Sequence, residues 1–202
     1  MNYQEAIECA LEDKIEHGQL LIENDSFPTF LHAVILVVGA GRGPLVKASL
    51  NAISNINKRN SQAPPSSQQQ RISASSSGGS KNNNQIPMIK AKIIAIEKNP
   101  SAVVFLHSLK CSNADWSSVD IIECDMRYAH KNETLSKMIT GEERNRADIV
   151  VSELLGSFGD NEVSPECLDG VQNSGLMKQL CVNIPQRYVM ELHREEILIE
   201  SS

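Results

Sequence analysis

The sequence predicts an α/β fold, in which a parallel β-sheet is covered by helices on both faces. Four short runs rich in β-branched residues indicate buried strands: HAVILVVG (32–39), KIIAIE (92–97), VDIIEC (119–124) and ADIVVSE (147–153). They are largely apolar rather than alternating, as is typical of strands that are buried on both faces. Each of the first three is followed by a segment that could form a helix, and strands that alternate with helices indicate a parallel sheet.

Two helices are predicted from their boundaries. Apolar residues recur at helical spacing over 3–17, and Gly18 supplies a stop. After the second strand, Asn99 is a favourable N-cap and Pro100 suits the first helical position, so a helix is predicted over 100–110. The apolar stripe of the first helix consists of Ile7, Ala10, Leu11 and Ile15.

Residues 57–87, between the first two strands, differ in composition from the rest of the chain. Eight Ser, five Asn and five Gln make up 18 of these 31 residues. Such a segment cannot bury enough apolar surface to offset the entropy of ordering, so we predict a disordered insertion. It holds four basic residues and no acidic one, which leaves 15 basic against 25 acidic residues elsewhere. That balance disfavours a nucleic-acid partner and favours a cationic one.

The 202 residues have the composition of one soluble domain, with 41% apolar and 22% charged residues and a formal charge of −6. The longest unbroken apolar run, 33–38, has six residues, whereas a membrane span needs roughly 18. The start, MNYQEAIECA, lacks the basic end and apolar region of a secretory signal. We therefore expect a cytoplasmic or nuclear protein. The five scattered cysteines indicate neither a disulfide framework nor a metal site.

A glycine-rich loop, GAGRGP (39–44), follows the first strand. Ligands of a parallel sheet bind beyond the carboxyl ends of its strands, and Gly39, Gly41 and Gly43 would allow a ligand to approach the backbone closely there. The dinucleotide pattern G-x-G-x-x-G needs its third glycine where Pro44 stands, so a pyrophosphate cradle is disfavoured. A tight strand-to-helix turn without a ligand is the alternative.

The next two strand ends carry residues suited to a nucleoside. Glu97 could accept hydrogen bonds from both ribose hydroxyls. It follows Gly43 by 54 residues, of which 31 belong to the insertion, and the remaining 23 are near the roughly 20 expected for a ribose-binding acid. Asp125 and Met126 could contact the amino group and the face of an adenine. A solvated strand-end charge at Glu97, and a turn or N-cap role for Asp125, are the alternatives.

An acidic stretch begins in the fourth strand. Six acids and no basic residue lie from Asp148 to Asp169, and such a loop should attract a cation. Glu153 and Glu162 are nine residues apart in this stretch and are joined by a glycine-containing loop. They could converge on one planar guanidinium. A solvated acidic loop, or an acid near a helix start, is the alternative.

The sequence motifs at these strand ends together resemble those of the protein arginine methyltransferases, and in particular those of the type II branch, which forms symmetric dimethylarginine. GAGRGP is similar to the first motif of that family, IAIEKNPSAVVFL to its second-strand acid and following helix, and CDMR to its adenine-contacting turn. SELLGSFGDNEVSPECLDG resembles its double-glutamate loop. The resemblance covers about residues 3–56 and 86–189.

The resemblance implies a class I methyltransferase core with a Rossmann-like parallel sheet over 1–185, interrupted by the insertion, and the start of a C-terminal β-barrel over 186–202. It implies that Glu153 and Glu162 hold the substrate arginine. Two carboxylates that fix a guanidinium would leave one nitrogen better able to attack a methyl group, without a metal. The residues implied to bind S-adenosylmethionine are Gly39, Gly41, Gly43, Glu97, Asp125 and Met126.

The resemblance also implies protein substrates that contain arginine, such as Arg/Gly-rich tails, histones and RNA-binding proteins. Three segments of the family are not recognised in the sequence: one that closes over the donor, a C-terminal barrel that completes the arginine pocket, and an N-terminal barrel that recruits a WD-repeat adaptor. This adaptor is therefore not expected to bind the chain. Neither direct nucleic-acid binding nor membrane binding is expected.

Two other function classes stay open at this point. One is a methyltransferase-like module without activity, whose insertion or acidic loop binds partners. Absence of the flanking segments favours it, and the presence of both glutamates opposes it. The other is a nicotinamide-dependent oxidoreductase, which Pro44 disfavours.

Overall fold

A computed structural model describes residues 2–23, 30–62, 87–139, 142–154 and 163–187. The strands are β1 (Leu21–Glu23), β2 (Phe30–Val38), β3 (Met88–Glu97), β4 (Val119–Glu123), β5 (Ala147–Ser152) and β6 (Met177–Ile184). The α-helices are α1 (Tyr3–Glu16), α2 (Pro44–Gln62), α3 (Pro100–Ser112), α4 (Glu133–Ile139) and α5 (Ser164–Asn173). Short 3-10 segments occupy Ala114–Trp116, Met126–Lys131 and Glu143–Asn145.

The six strands form one sheet in the order β4-β3-β2-β5-β6, with β1 beside the start of β2. All neighbours are parallel except β1 and β2, which are antiparallel. The predicted α/β fold with a Rossmann-like parallel sheet is therefore confirmed. β1 and β6 are additions that the sequence patterns did not predict. Within the described ranges, no helix is long and apolar enough to cross a membrane.

The central strand β2 is apolar because both of its faces are covered. Ile35 and Val37 belong to a core cluster with α1, α2 and α3, whereas Val34 and Leu36 belong to a second cluster with α4 and α5. Successive side chains of a strand point to opposite faces, so a strand between two helical layers needs apolar residues at every position.

The predicted helix boundaries agree closely with the structure. α1 begins with a reciprocal cap, in which Asn2 Oδ1 accepts from the backbone N–H of Glu5 at 2.9 Å and Glu5 Oε2 accepts from the backbone N–H of Asn2 at 3.1 Å. The predicted N-cap of α3 is confirmed, since Asn99 Oδ1 accepts from the backbone N–H of Ser101 at 3.0 Å. Local capping chemistry therefore fixes both starts.

Residues 57–62 of the predicted disordered insertion are helical instead, because α2 continues to Gln62. Asn57 explains the difference. Its Oδ1 accepts from the backbone N–H of Ile89 at 2.7 Å, and its Nδ2 donates to the carbonyl of Ile89 at 2.9 Å. This pair of hydrogen bonds ties α2 to the start of β3. Residues 63–86, most of the predicted insertion, and 188–202, most of the predicted barrel region, lie outside the described residues.

The interpretation of Asp148 as part of a cation-attracting loop is wrong. Asp148 is the second residue of β5, at the opposite end of the strand from Glu153, and is 1% exposed. Its Oδ1 accepts from Lys178 Nζ at 2.8 Å, and its Oδ2 accepts from the backbone N–H of Val34 at 2.8 Å. A buried carboxylate paired in this way is not available to a ligand at the other end of the sheet.

Candidate active site

The carboxyl ends of β2, β3, β4 and β5 meet at one edge of the sheet and border a cleft of about 280 Å³. Five predicted site residues line it, each at the end of a strand or within three residues after it: Gly39, Glu97, Asp125, Met126 and Glu153. Gly41 and Gly43 lie in the adjoining loop without lining the cleft. Glu162 lies outside the described residues.

Glu97 is held in a fixed orientation by the backbone around it. The carboxylate is buried; its Oε2 accepts from the N–H of Gly41 at 2.7 Å and its Oε1 from the N–H of Asn99 at 2.8 Å. Each carboxylate oxygen can accept a second hydrogen bond, so capacity remains for the hydroxyls of a ligand. Gly41 therefore supports the cleft indirectly, by orienting Glu97.

Two glycines of the loop meet different steric needs. Gly39 has φ 71°, and a Cβ there would lie 2.7 Å from Cδ2 of Leu154. Gly43 has φ 87°, and a Cβ there would lie 2.6 Å from the ring of Trp116. Positive φ and such close approaches favour glycine at both positions. Gly39 borders the cleft, whereas Gly43 packs the start of α2 against the core; its predicted donor contact stays a prediction.

The N-cap role that the sequence offered as an alternative for Asp125 is confirmed, while its contact with adenine stays a prediction. Its Oδ1 caps the following 3-10 segment by accepting from the backbone N–H of Arg127 at 3.0 Å. The Arg127 side chain also donates to both carboxylate oxygens, with Nη2 to Oδ2 at 2.6 Å and Nε to Oδ1 at 3.0 Å. These hydrogen bonds hold the pKa of Asp125 below its usual value. Asp125 is therefore ionised, and beside it Met126 is buried in the core.

Glu153 lies between two clefts. It follows the last residue of β5, is exposed, and lines both the cleft described above and a second one of about 270 Å³. The second cleft contains side chains from both ends of the described chain. Its lining residues are Tyr3, Ser152, Glu153, Leu154, Ser164, Leu168, Pro185, Gln186 and Arg187.

Sequence reasoning missed several residues of the two clefts. Lys98 could have been found, because it directly follows a strand. Tyr3 and Cys167 had no such signal, since they belong to helices and reach the site only through packing. Burial raises the pKa of the Cys167 thiol, with a smaller contribution from the charge of Asp125. The first cleft thus has three carboxylates and one ammonium among its lining residues, which suits a cationic ligand.

Comparison with known families identifies the family to which the chain belongs. The model of the PRMT5 arginine-N-methyltransferase family matches residues 1–63 and 76–184. The chain belongs to this family. The gap between the two matched stretches falls inside the predicted insertion, and the resemblance drawn from the strand-end motifs is confirmed.

Individual relatives agree with the family match. Protein arginine N-methyltransferase 5 of Oryza sativa subsp. indica is 38% identical over 186 residues, which cover 92% of this chain and 20% of that protein. The Xenopus laevis protein of the same name is 35% identical over 193 residues, with coverages of 94% and 22%. Protein arginine N-methyltransferase skb1 of Schizosaccharomyces pombe is 35% identical over 188 residues, with coverages of 93% and 21%. The chain spans about a fifth of the length of these relatives.

Among solved structures, protein arginine methyltransferase 10 of Arabidopsis thaliana, in an open conformation, matches 76% of this chain and 30% of its own. The TM-score is 0.45 and the sequence identity is 16%.

Proposed function

We propose that the chain is the catalytic core of a protein-arginine N-methyltransferase that uses S-adenosylmethionine. The observation that carries this proposal is the position of Glu153, which lines both clefts. A side chain shared by adjoining clefts can hold an acceptor in one cleft beside a donor in the other. Membership of the PRMT5 arginine-N-methyltransferase family supports the same conclusion.

The residues of the first cleft fit S-adenosylmethionine. Glu97 presents an oriented carboxylate for the ribose hydroxyls, and Met126 supplies an apolar surface for the adenine. Asp125, ionised and held by Arg127, supplies an acceptor for the adenine amino group. The acidic lining favours a sulfonium and an ammonium over a pyrophosphate. When bound, the donor supplies an electrophilic methyl group.

The proposed task of Glu153 is to bind the substrate guanidinium from the second cleft. A guanidinium keeps its charge at any physiological pH, and a carboxylate can hold it through paired hydrogen bonds. The negative charge also offsets the repulsion between a cationic donor and a cationic acceptor. Glu162 is proposed as the second carboxylate of this clamp, as the family resemblance implies.

The product and the partners follow from the same resemblance. We propose symmetric dimethylarginine as the product, and Arg/Gly-rich tails, histones and RNA-binding proteins as substrates. The acid excess outside residues 57–87 supports cationic protein segments as partners, without direct binding of nucleic acid. The proposed location is the cytoplasm and nucleus, without membrane association. A WD-repeat adaptor is not proposed as a partner of this chain.

Calorimetric titration of the chain with S-adenosylmethionine, and separately with NAD, tests the donor assignment. We expect saturable binding of S-adenosylmethionine and no binding of NAD. Absence of donor binding, or binding of NAD alone, would contradict the proposal. Donor binding without methyl transfer to any arginine peptide would instead favour a methyltransferase-like module that binds partners.

A further inference from the structure

Tyr3 forms a long-range contact beside Glu153. The Tyr3 hydroxyl donates to the backbone carbonyl of Ser152 at 3.1 Å, although the two residues are 149 positions apart. Ser152 ends β5 and directly precedes Glu153. It also lies one residue beyond Val151, whose pairing with Ile184 is the last between β5 and β6. The hydrogen bond from Tyr3 therefore holds the backbone just where support from β6 ends.

The phenol is supplied by a well-anchored helix rather than by a loop. Tyr3 lies in the first turn of α1, whose start is closed by the reciprocal cap between Asn2 and Glu5. One turn and two turns further on, Ile7 and Leu11 are fully buried in the core cluster that α1 shares with α2. Because α1 is fixed by capping and by core packing, Tyr3 can hold the end of β5 in place.

The surroundings keep the Tyr3 hydroxyl in its donor form. Burial raises its pKa above the ordinary value of 10.0, and the negative charge of Glu153 raises it further. At neutral pH the phenol is therefore protonated and can donate. Tyr3 and Glu153 both line the second cleft, so the phenol and the carboxylate border the same space.

We propose that Tyr3 is a positioning residue for Glu153, which fixes the backbone before the carboxylate and forms a wall of the guanidinium cleft. This inference rests on the proposed function, because it assigns Tyr3 a part in the binding of substrate arginine. A small displacement of Glu153 would weaken the paired hydrogen bonds to a guanidinium, whose geometry is planar and fixed. Donor binding would not change, since Tyr3 does not line the first cleft, where the donor is proposed to bind.

The variant Tyr3→Phe keeps the ring and removes only the hydroxyl. We expect it to weaken the binding of a Gly-Arg-Gly peptide about three- to tenfold, measured by calorimetry with saturating S-adenosylhomocysteine so that no turnover occurs. Affinity for S-adenosylhomocysteine itself should stay within twofold. Ser49→Ala is the matched control, since it removes a hydroxyl that donates to the Leu45 carbonyl at 2.9 Å, outside both clefts. Wild-type peptide affinity in Tyr3→Phe would overturn the inference.

A spectroscopic titration separates this inference from the proposed function. The tyrosinate absorbance of the chain minus that of Tyr3→Phe reports the pKa of Tyr3. We expect this pKa to fall when the same difference is measured in the Glu153→Gln background, because the nearby negative charge is gone. An unchanged pKa would show that the Tyr3 phenol does not lie close enough to the Glu153 carboxylate to interact with it, and would overturn the inference. If the wild-type chain binds no peptide but the pKa falls, the proposed function fails and the proximity of Tyr3 to Glu153 stands.

Discussion

At the scale of single residues, two of the three carboxylates that line the first cleft have different surroundings. Glu97 is buried and both of its oxygens accept backbone hydrogen bonds, whereas Glu153 is exposed at the junction of the two clefts. Glu97 cannot turn away without leaving two N–H groups unsatisfied. It is suited to a fixed binding role, while Glu153 is available to a ligand on either side. Substitutions should separate the two roles.

Removal of the Glu97 carboxylate should impair donor binding. In Glu97→Ala the N–H groups of Gly41 and Asn99 lose their acceptor, so the free energy of unfolding should fall by about 1–3 kcal/mol. We expect S-adenosylmethionine to bind at least tenfold more weakly by calorimetry. Glu123→Ala is the control, because Glu123 also ends a strand but is exposed and lines neither cleft. Equal donor affinities of the two variants would contradict the assignment of Glu97.

Neutralising Glu153 should affect methyl transfer and leave donor binding intact. Glu153→Gln keeps the size of the side chain but removes the charge that holds a guanidinium and offsets the repulsion between the two cations. We expect the rate of transfer to an arginine peptide, measured with labelled donor, to fall at least about a hundredfold. The donor dissociation constant should change less than twofold. Glu166→Gln, at an exposed position of α5, serves as the control. Undiminished turnover in Glu153→Gln would remove Glu153 from the mechanism.

At the scale of elements, α5 packs directly on the turn that is proposed to contact adenine. A Cβ at Gly170 would lie 2.1 Å from the carbonyl oxygen of Met126 and 2.9 Å from Cα of Arg127. The helix therefore approaches the backbone of the turn as closely as glycine allows. α5 begins right after Val163, which is the N-cap residue and has a left-handed backbone conformation with φ 54°. The same helix thus lines the first cleft through Cys167 and directly follows Val163, within the acidic stretch that contains Glu153.

A side chain at position 170 should disturb both elements. Gly170→Ala must push α5 away from the turn, which we expect to cost about 3 kcal/mol of stability. For a chain of this size that corresponds to a melting temperature lower by roughly 6–12 °C. Donor affinity should fall as well, because Asp125 and Met126 lie in that turn. Gln172→Ala, at an exposed position of the same helix, should change neither quantity. A wild-type melting temperature in Gly170→Ala would show that the close contact is absent.

At the scale of the whole molecule, the two ends of the sheet differ. The carboxyl end carries the clefts, whereas the amino end carries buried polar groups that join separate elements. There Asp148 connects β5 to β2 and β6, and Lys14 of α1 donates to the carbonyl of Leu180 in β6 at 2.7 Å. His32 of β2 lies near this group, and in the described part of the chain its buried Nδ1 has no hydrogen-bond partner.

The stability of the fold should depend on pH through His32. Burial lowers its pKa below the ordinary 6.5, and Lys178 lowers it further. The unfolded state therefore binds more protons than the folded state, and the free energy of unfolding falls as the pH drops below about 6.5. The other charged groups that face the ring are Asp148 and Glu23, which oppose the shift, and Arg144, which adds to it.

Urea unfolding at pH 7.5 and pH 5.5 measures this contribution. We expect the wild-type chain to lose more stability between the two values than His32→Gln, which cannot take up the proton. The difference between the two losses isolates His32 from the other titrating groups. Equal losses in both proteins would show that His32 does not titrate differently in the folded and unfolded states.

Part of the site could be predicted because it follows strand ends. Glu97, Asp125 and Glu153 each come directly after or at the end of an apolar run, and the carboxyl ends of parallel strands must meet at one edge. The prediction failed for Asp148, which was assigned to the acidic loop by its place in the sequence but lies inside the strand, at its other end. Although Asp148 is close in sequence to the acidic loop, it does not lie at the carboxyl end of the sheet, where the clefts are.

The sequence by itself determined the four strands β2 to β5, the helices α1 and α3 and the chemistry at their ends, because caps, apolar periodicity and glycine turns act over a few residues. Only the tertiary structure decided which distant groups meet. The hydroxyl of Tyr3 reaches Ser152 because the sheet order β2-β5-β6 places the end of β5 beside the start of α1. Gly170 meets Met126 because α5 packs on the same face as the turn after β4. Such contacts depend on the order and packing of strands and helices, which no local pattern records.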